Sequence, residues 1–220
     1  MTDLEPGLDP VPPSPKLPDF IRQLDSDLAG EQRLRQHFHD TLREGDQVEF
    51  INGAVVKNPP VNLQHHDASF SLAMLIRAFV DSHGLGTVGH ENLMISLARN
   101  DYEPDICYWR RDKAAAFLPH QIRFPAPDFV AEVLSEATAA TDRGVKHEDY
   151  AANGVGEYWI VDPGGQSIEQ YWLEGSAYRL RVKTDDGALT SQIIPGFVIW
   201  TRAVFDASER QRALRTMLIP

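Results

Sequence analysis

The sequence contains little cysteine, no long apolar run and few basic residues for its acidic content. Its single cysteine, Cys107, excludes an internal disulfide and a cysteine-based zinc site, which agrees with a reducing compartment. The apolar runs have the length of strands, far short of the ~20 residues that a membrane span needs. The N-terminus also lacks the basic-then-apolar pattern of a secretory signal. We therefore predict a cytoplasmic protein without a membrane segment.

The charge balance limits the classes of ligand. The chain has 21 lysines and arginines against 32 aspartates and glutamates, which gives a formal net charge of −11. Phosphate contacts usually come from a basic excess, so this acidity weakens a nucleic-acid hypothesis without excluding it, because a metal ion can supply positive charge locally. The 220 residues, 42% hydrophobic and 24% charged, indicate a globular domain with room for appendages.

The chain divides into four predicted regions. Proline-rich residues 1–19 are predicted to form a tail. Apolar residues recur every four positions over 20–44 with a phase change near Gly30, which predicts two short helices or one broken one. Residues 45–206 are predicted to form the main domain, and residues 207–220 a C-terminal helix or tail.

The main domain mixes strand and helix signals. The dipeptide Asn52-Gly53 predicts a hairpin, and an apolar stripe predicts a helix that ends near Gly84. A second helix is predicted from Ala139 to Asn153, with Gly144 as a weak position inside it. The predicted strands that come after the hairpin are ENLMISL, EPDICYW, PDFVAEVLS, EYWIVD, SIEQYWL and AYRLRVKT. This order predicts an α/β fold with a mixed sheet.

Two carboxylates interrupt strands that otherwise look buried. Glu132 stands inside the apolar run FVAEVL, and Asp105 interrupts EPDICYW in the same way. An unpaired ionised carboxylate in such a strand would cost roughly several kcal/mol. Lys146 follows Glu132 by enough chain for a helix to return across the strand, and it can bring a cation close. Two strand carboxylates and a lysine are what a magnesium-dependent phosphodiesterase requires.

The order of the segments GAVV, PDICYW, PDFVAEVLSEAT, DRGVKHEDYAANGVGEYWIVDP and IIPGFVI resembles the Uma family of restriction-endonuclease-like proteins. This family is a branch of the PD-(D/E)XK nuclease superfamily. The resemblance runs from about Glu49 to Phe205 and is most specific between Pro127 and Pro163. It implies a restriction-endonuclease-like mixed central sheet flanked by helices. It also implies an endonuclease that uses Mg²⁺, with Mn²⁺ as a substitute, acts on DNA and forms a homodimer.

The resemblance also implies roles for individual residues. Asp105, Glu132 and Val133 are the expected metal ligands, and Lys146 is the expected catalytic lysine beside the catalytic carboxylates Asp105 and Glu132. The superfamily places its lysine two residues after the glutamate, where this chain has Leu134. Lys146 would therefore substitute from the helix. If Glu132 holds a metal, we expect Lys146 to serve chemistry and not chiefly to neutralise that glutamate.

Accessory residues are less sharply defined. Glu49 matches a glutamate that precedes the hairpin in the family. A histidine is expected at the start of the next helix, where His65 fits the helical phase better than the adjacent His66. Asp142 and Tyr150 share a helix face with the lysine, and either helix packing or the site explains them.

Other function classes remain open. The chain could be an inactive nuclease-like binding or regulatory module, a hydrolase of a small phosphorylated or nucleotide substrate, or a structural dimerisation module. Asp105, Glu132 and Lys146 could also be a buried structural ion-pair network instead of a catalytic site. A nucleic-acid substrate would require basic residues to gather near the site. The candidates are Arg99, Arg110, Arg111, Lys113, Arg123 and Arg143.

Overall fold

The computed structural model describes residues 15–218, so most of the predicted proline-rich tail, residues 1–14, lies outside the described residues, as do residues 219–220. The chain divides into two compact units between Leu42 and Arg43. Among the helices of residues 15–218, none has the length and apolar character needed to cross a membrane.

The described part of the first unit is one helix, α1 (Leu17–Thr41). The predicted interruption near Gly30 is therefore wrong. A glycine inside a helix costs only about 1 kcal/mol relative to alanine. Hydrogen bonds between side chains four residues apart flank it, from Gln23 to Asp27 and from Gln36 to Asp40. Such pairs stabilise the helix on both sides of the glycine.

The second unit contains the remaining elements. Its strands are β1 (Val48–Ile51), β2 (Ala54–Lys57), β3 (Gly86–His90), β4 (Met94–Ser96), β5 (Asp101–Tyr102), β6 (Ile106–Arg110), β7 (Arg123–Phe124), β8 (Phe129–Val133), β9 (Glu157–Asp162), β10 (Ser167–Glu174), β11 (Ala177–Thr184), β12 (Ala188–Thr190) and β13 (Val198–Trp200). Its helices are α2 (Leu63–His83), α3 (Arg111–Ala114), α4 (Ala139–Arg143), α5 (Val145–Ala152), α6 (Arg202–Phe205) and α7 (Ala207–Leu218).

The main sheet has the strand order β11-β10-β9-β8-β6-β3. Strands β8 and β9 are parallel and their other neighbours are antiparallel, so the sheet is mixed. A parallel pair needs a long crossover, which α4 and α5 supply. A further sheet has the order β2-β1-β5-β4-β7, and β12 pairs with β13. The predicted strand ENLMISL therefore lies outside the main sheet.

Local signals in the sequence account for several boundaries. Asn52 and Gly53 both have positive φ, 49° and 84°, as a two-residue hairpin turn requires. Gly84 closes α2 with φ 60°, the left-handed conformation that glycine adopts without steric cost. The hairpin and the end of this helix are confirmed.

The main sheet is buried on both faces. Phe129, Ala131 and Val133 pack with α2, α6 and the β12–β13 pair, whereas Val130 packs with α5 and the second sheet. All five residues of β8 are buried, which explains its nearly continuous apolar sequence. Cys107 is also fully buried, and burial raises the pKa of its thiol, so it is a core residue.

Candidate active site

Asp105 and Glu132 come together because their strands are neighbours. Ile106 of β6 pairs with Ala131 of β8, which sets Asp105 opposite Glu132. The Asp105 amide donates to Glu132 Oε2 at 3.3 Å, and the Val133 amide donates to Asp105 Oδ2 at 2.7 Å. Backbone pairing thus fixes both carboxylates at one end of the main sheet, as the strand assignment predicts.

Lys146 lies among three buried carboxylates. Its Nζ is 3.0 Å from Glu49 Oε1, 3.1 Å from Glu132 Oε1 and 3.5 Å from Asp142 Oδ1. All four side chains are at most 6% exposed. The Tyr150 hydroxyl donates to the same Glu132 oxygen at 2.7 Å. Lys146 therefore pairs directly with Glu132, and its role in chemistry stays a prediction.

The break at Gly144 positions this lysine. Gly144 separates α4 from α5 with φ −109° and ψ −106°. A Cβ at this position would lie 2.8 Å from the Ala140 carbonyl oxygen, so a side chain does not fit without a shift. Asp142 closes α4 and Lys146 opens α5, and Tyr150 lies one turn later on the same face of α5. The predicted weak position in the helix is confirmed as a break.

Burial and charge set the protonation of this cluster. Burial raises the pKa of Glu132 to about 8 and raises that of Asp142 above its ordinary value, although Lys146 opposes both shifts. Burial lowers the pKa of Lys146, but attraction from Glu132, Glu49 and Asp142 outweighs it and raises that pKa well above its ordinary value. The ammonium stays charged, and it faces more carboxylates than it can neutralise.

His65, and not His66, faces the site. His65 is buried, and its Nε2 lies 3.5 Å from Asp105 Oδ2. Burial lowers the pKa of His65, but hydrogen bonding and charge from Asp105 outweigh it and raise that pKa above its ordinary value. The Asn62 side chain caps α2 by accepting the His65 amide at 3.0 Å, which fixes the start of the helix. His66 is exposed and stacks on Phe70 with ring centroids 6.1 Å apart.

Glu103 belongs to the site although its sequence position did not single it out. It lines the cavity beside Asp105, and its amide donates to Glu49 Oε1 at 2.9 Å. Burial, with the charge of Glu49, raises the pKa of Glu103 to about 7. Asn58 donates to Glu103 Oε2 at 3.1 Å. The position of Glu103 directly before Pro104-Asp105 is the sequence feature that could have identified it as a site residue.

A cavity of about 150 Å³ opens above these carboxylates. It is lined by Gln47, Asn58, Pro59, Pro60, Val61, His65, Glu91, Asn92, Glu103, Asp105, Glu132, Ser135, Thr138, Asp142 and Lys146. Among the described residues that line it, Lys146 is the only lysine or arginine. The cavity is therefore acidic, with an apolar edge formed by the two prolines and Val61.

The basic residues expected around the site do not line this cavity within the described chain. Arg143 binds Glu169 through two hydrogen bonds of 2.8 Å. Lys113 binds Asp128 at 2.9 Å, and the Arg110 amide donates to the same carboxylate at 2.8 Å. Asp128, which follows a proline as Asp105 does, is thus a paired structural residue.

The donor set is compatible with a hard cation that keeps much of its water. Among the described residues, no group of three or more His, Cys, Asp or Glu side chains is arranged to hold a metal ion. The side chains of Asp105 and Glu132 would be two ligands, and Val133 could contribute only its main-chain carbonyl. Mg²⁺ commonly binds through one or two carboxylates and retains several waters, so these residues fit it.

Comparison with known proteins agrees with this geometry. The family described as "Putative restriction endonuclease", Uma2, matches residues 35–203. The chain belongs to this family. The resemblance that the sequence motifs predicted is confirmed, and the Uma2 match begins before the segment in which we identified it.

The Uma2 chain also shares its fold with a solved structure, described as a putative nuclease belonging to DUF820 from Anabaena variabilis. The two chains are 18% identical with a TM-score of 0.66, over 78% of this chain and 96% of the other. This likeness confirms the predicted restriction-endonuclease-like α/β fold. Among curated proteins, none matches this chain.

Proposed function

We propose that this chain is a Mg²⁺-dependent phosphodiesterase, an endonuclease that acts on DNA and accepts Mn²⁺ as a substitute metal. The observation that carries the proposal is the meeting of Asp105 and Glu132 at the ends of adjacent strands, beside the buried Lys146. Membership of a family described as restriction endonucleases, and the nuclease named for the similar crystal structure, support the same chemistry.

The hydrogen bonds indicate which carboxylate oxygens would hold the cation. Lys146 and Tyr150 both bind Glu132 Oε1, so Oε2, with its long contact to the Asp105 amide, is the oxygen left for a metal. The Val133 amide binds Asp105 Oδ2, which leaves Oδ1 of the same carboxylate. Mg²⁺ bound there would polarise a phosphodiester oxygen and lower the pKa of a water molecule.

Lys146 acts in this proposal as a positive charge and not as a base. Its pKa is raised well above the ordinary lysine value, so it holds its proton at neutral pH. A protonated ammonium at the floor of the cavity opposes the rise in the pKa of Glu132 and offsets negative charge that develops on an attacked phosphate. Tyr150 fixes the rotamer of Glu132, and His65 does the same for Asp105.

A cleavage assay tests the proposal. The parent protein is incubated with supercoiled, linear and single-stranded DNA in Mg²⁺, Mn²⁺ or EDTA, and only the two metals should support cleavage. Asp105→Asn and Glu132→Gln should each lower the rate by about 10²-fold or more. Asp128→Asn is the matched control, because it also follows a proline but lies off the cavity, and it should keep the parent rate. Equal cleavage by Asp105→Asn and the parent would reject the site.

A second candidate, hydrolysis of a small phosphorylated or nucleotide substrate, is favoured by the acidic lining of the cavity. A long duplex presents many phosphates, and these need nearby cations for tight binding. If the parent hydrolyses a small phosphodiester such as bis(p-nitrophenyl) phosphate, and DNA neither competes nor is cleaved, the second candidate replaces the first.

The expected homodimer and cytoplasmic location stay predictions. Size-exclusion chromatography with light scattering measures the first directly, and a monomer mass at all concentrations would contradict it.

A further inference from the structure

An aromatic cluster borders the catalytic cavity and takes no part in the chemistry proposed above. Phe70 lies on the solvent side of α2 and is 53% exposed. Its ring stacks with His66 one turn earlier, with an interplanar angle of 13°. The ring of His90, at the end of β3, meets Phe70 edge-on with centroids 6.0 Å apart. We call Phe70, His66 and His90 the aromatic platform.

The platform is tied to the site through the backbone. The Ser69 hydroxyl and His90 Nε2 are 3.0 Å apart, which fixes the imidazole of His90. Glu91 follows His90, lines the catalytic cavity and donates its amide to the Asp105 carbonyl at 3.0 Å. His90 of the platform is therefore the sequence neighbour of a residue that lines the catalytic cavity and binds the backbone of Asp105.

Space for a bound ring adjoins Phe70. The residue also lines a second cavity of about 450 Å³, which it shares with Met74, Phe205 and Arg210. Met74 and Phe205 offer apolar contacts to the face of a planar ring, and Arg210 offers a positive charge in a lining that also contains Asp67. A single exposed phenylalanine needs no explanation, but here two further rings contact a phenylalanine that itself lines the second cavity.

We propose that the aromatic platform stacks an unpaired nucleobase next to the scissile phosphodiester, so that the substrate is single-stranded DNA at the site of cleavage. This rests on the proposed nuclease function. Bases inside a duplex stack on each other and cannot reach a protein ring, whereas unpaired bases stack on aromatic side chains whatever their identity. The acidic cavity, with Lys146 as the only lysine or arginine in its described lining, gives phosphates little attraction. Base stacking would supply the missing affinity.

Binding and cleavage are measured separately. Anisotropy of a labelled 12-nucleotide oligothymidylate is titrated with the full chain, with Ca²⁺ in place of Mg²⁺ to slow cleavage. Phe70→Leu should weaken the dissociation constant by about tenfold, within the range found when stacking residues are removed, and Phe70→Trp should restore it. Trp200→Leu is the matched control, since Trp200 is 59% exposed on β13 away from both cavities, and it should bind like the parent. Thermal melts should show that all three variants are folded.

The outcomes separate the two proposals. A parent that binds the oligonucleotide through Phe70 but cleaves no DNA keeps the platform and rejects the nuclease. A parent that cleaves DNA while Phe70→Leu binds and cleaves equally well keeps the nuclease and rejects the platform. Failure of the parent to bind the single strand, or tighter binding of a duplex that is insensitive to Phe70→Leu, also rejects the platform.

Discussion

Replacing Lys146 by methionine removes the ammonium that Glu49, Glu132 and Asp142 share at 3.0 to 3.5 Å. Methionine preserves the length and apolar part of the side chain, so the change tests charge more than packing. Breaking a buried ion pair by removing one partner costs about 3–5 kcal/mol. Because the carboxylates are buried and lose their cation, we expect the free energy of unfolding at pH 8 to fall by roughly 3 kcal/mol or more.

The stability of Lys146→Met should depend on pH in a defined direction. Burial already raises the pKa of Glu132, and loss of Lys146 removes the charge that opposes the shift. At pH values between the pKa of Glu132 in the unfolded chain and its raised pKa in the native variant, the native variant binds more protons than the unfolded chain. Its stability must therefore fall as pH rises, by up to about 1.4 kcal/mol per pH unit for each such carboxyl. The parent shares the raised pKa of Glu132, so the cost of the substitution grows only where the variant's carboxyls keep protons that the parent's carboxyls have lost. We therefore expect a larger cost at pH 8 than at pH 5.

Urea denaturation in EDTA at both pH values measures this cost. Lys183→Met is the control, because Lys183 also binds a glutamate at 3.0 Å but is 57% exposed. Exposed ion pairs contribute at most about 1 kcal/mol. The reasoning fails if Lys146→Met lies within about 1 kcal/mol of the parent at pH 8, or if its cost is independent of pH. If folded Lys146→Met protein also cleaves DNA as fast as the parent, its catalytic assignment is lost.

Three further predictions concern other carboxylates. Glu132→Gln should abolish the rise in melting temperature that Mg²⁺ induces in the parent. That rise corresponds to a stabilisation of about 2.7 kcal/mol at a Mg²⁺ concentration of 100 times Kd. A full rise in the variant would remove Glu132 from the ligands. Glu157→Gln should cost about 3 kcal/mol or more in urea denaturation, because this fully buried carboxylate accepts five hydrogen bonds of 2.6 to 3.0 Å; a loss under about 1 kcal/mol would contradict this. The hydrogen bonds from Arg143 are the main cause that lowers the pKa of Glu169 to about 2. The stability that ionised Glu169 contributes is therefore present above pH 4.5 and lost as pH falls towards 2. Arg143→Met should flatten that acid dependence by on the order of 1–3 kcal/mol, and an unchanged slope would reject the pairing.

The sequence predicted those parts of the fold that local chemistry decides. The Asn52-Gly53 turn and the Gly84 helix end each require a backbone conformation that few residues adopt. Gly30 and Gly144 look alike in sequence, yet α1 continues through the first and the chain breaks at the second. The difference lies in the tertiary contacts near each glycine, because the break at Gly144 accompanies the approach of Lys146 to Glu132. Helix propensity contains no such information.

The site residues that the sequence predicted are the charged ones that stand inside apolar strands. Asp105 and Glu132 stand out because carboxylates rarely interrupt buried strands without a partner. Glu103 does not stand out, because it lies between β5 and β6, outside both strands, and its amide binds Glu49 of β1, which is distant in sequence. The choice of His65 over His66 likewise depends on the rotation of α2 about its axis, which Asn62 fixes at the helix start.

The charge of the site explains why a cation and an aromatic surface belong together here. Glu49, Glu132 and Asp142 surround one ammonium, and Asp105 lies opposite Glu132. An anionic phosphodiester approaching this floor meets net repulsion unless a further cation is bound. Asp105 and Glu132 would hold a divalent ion in the proposed function, and its charge would reverse that repulsion locally. In the proposed nuclease, neighbouring nucleotides would then be held by something other than phosphate charge, and the aromatic platform is the surface that we propose for this.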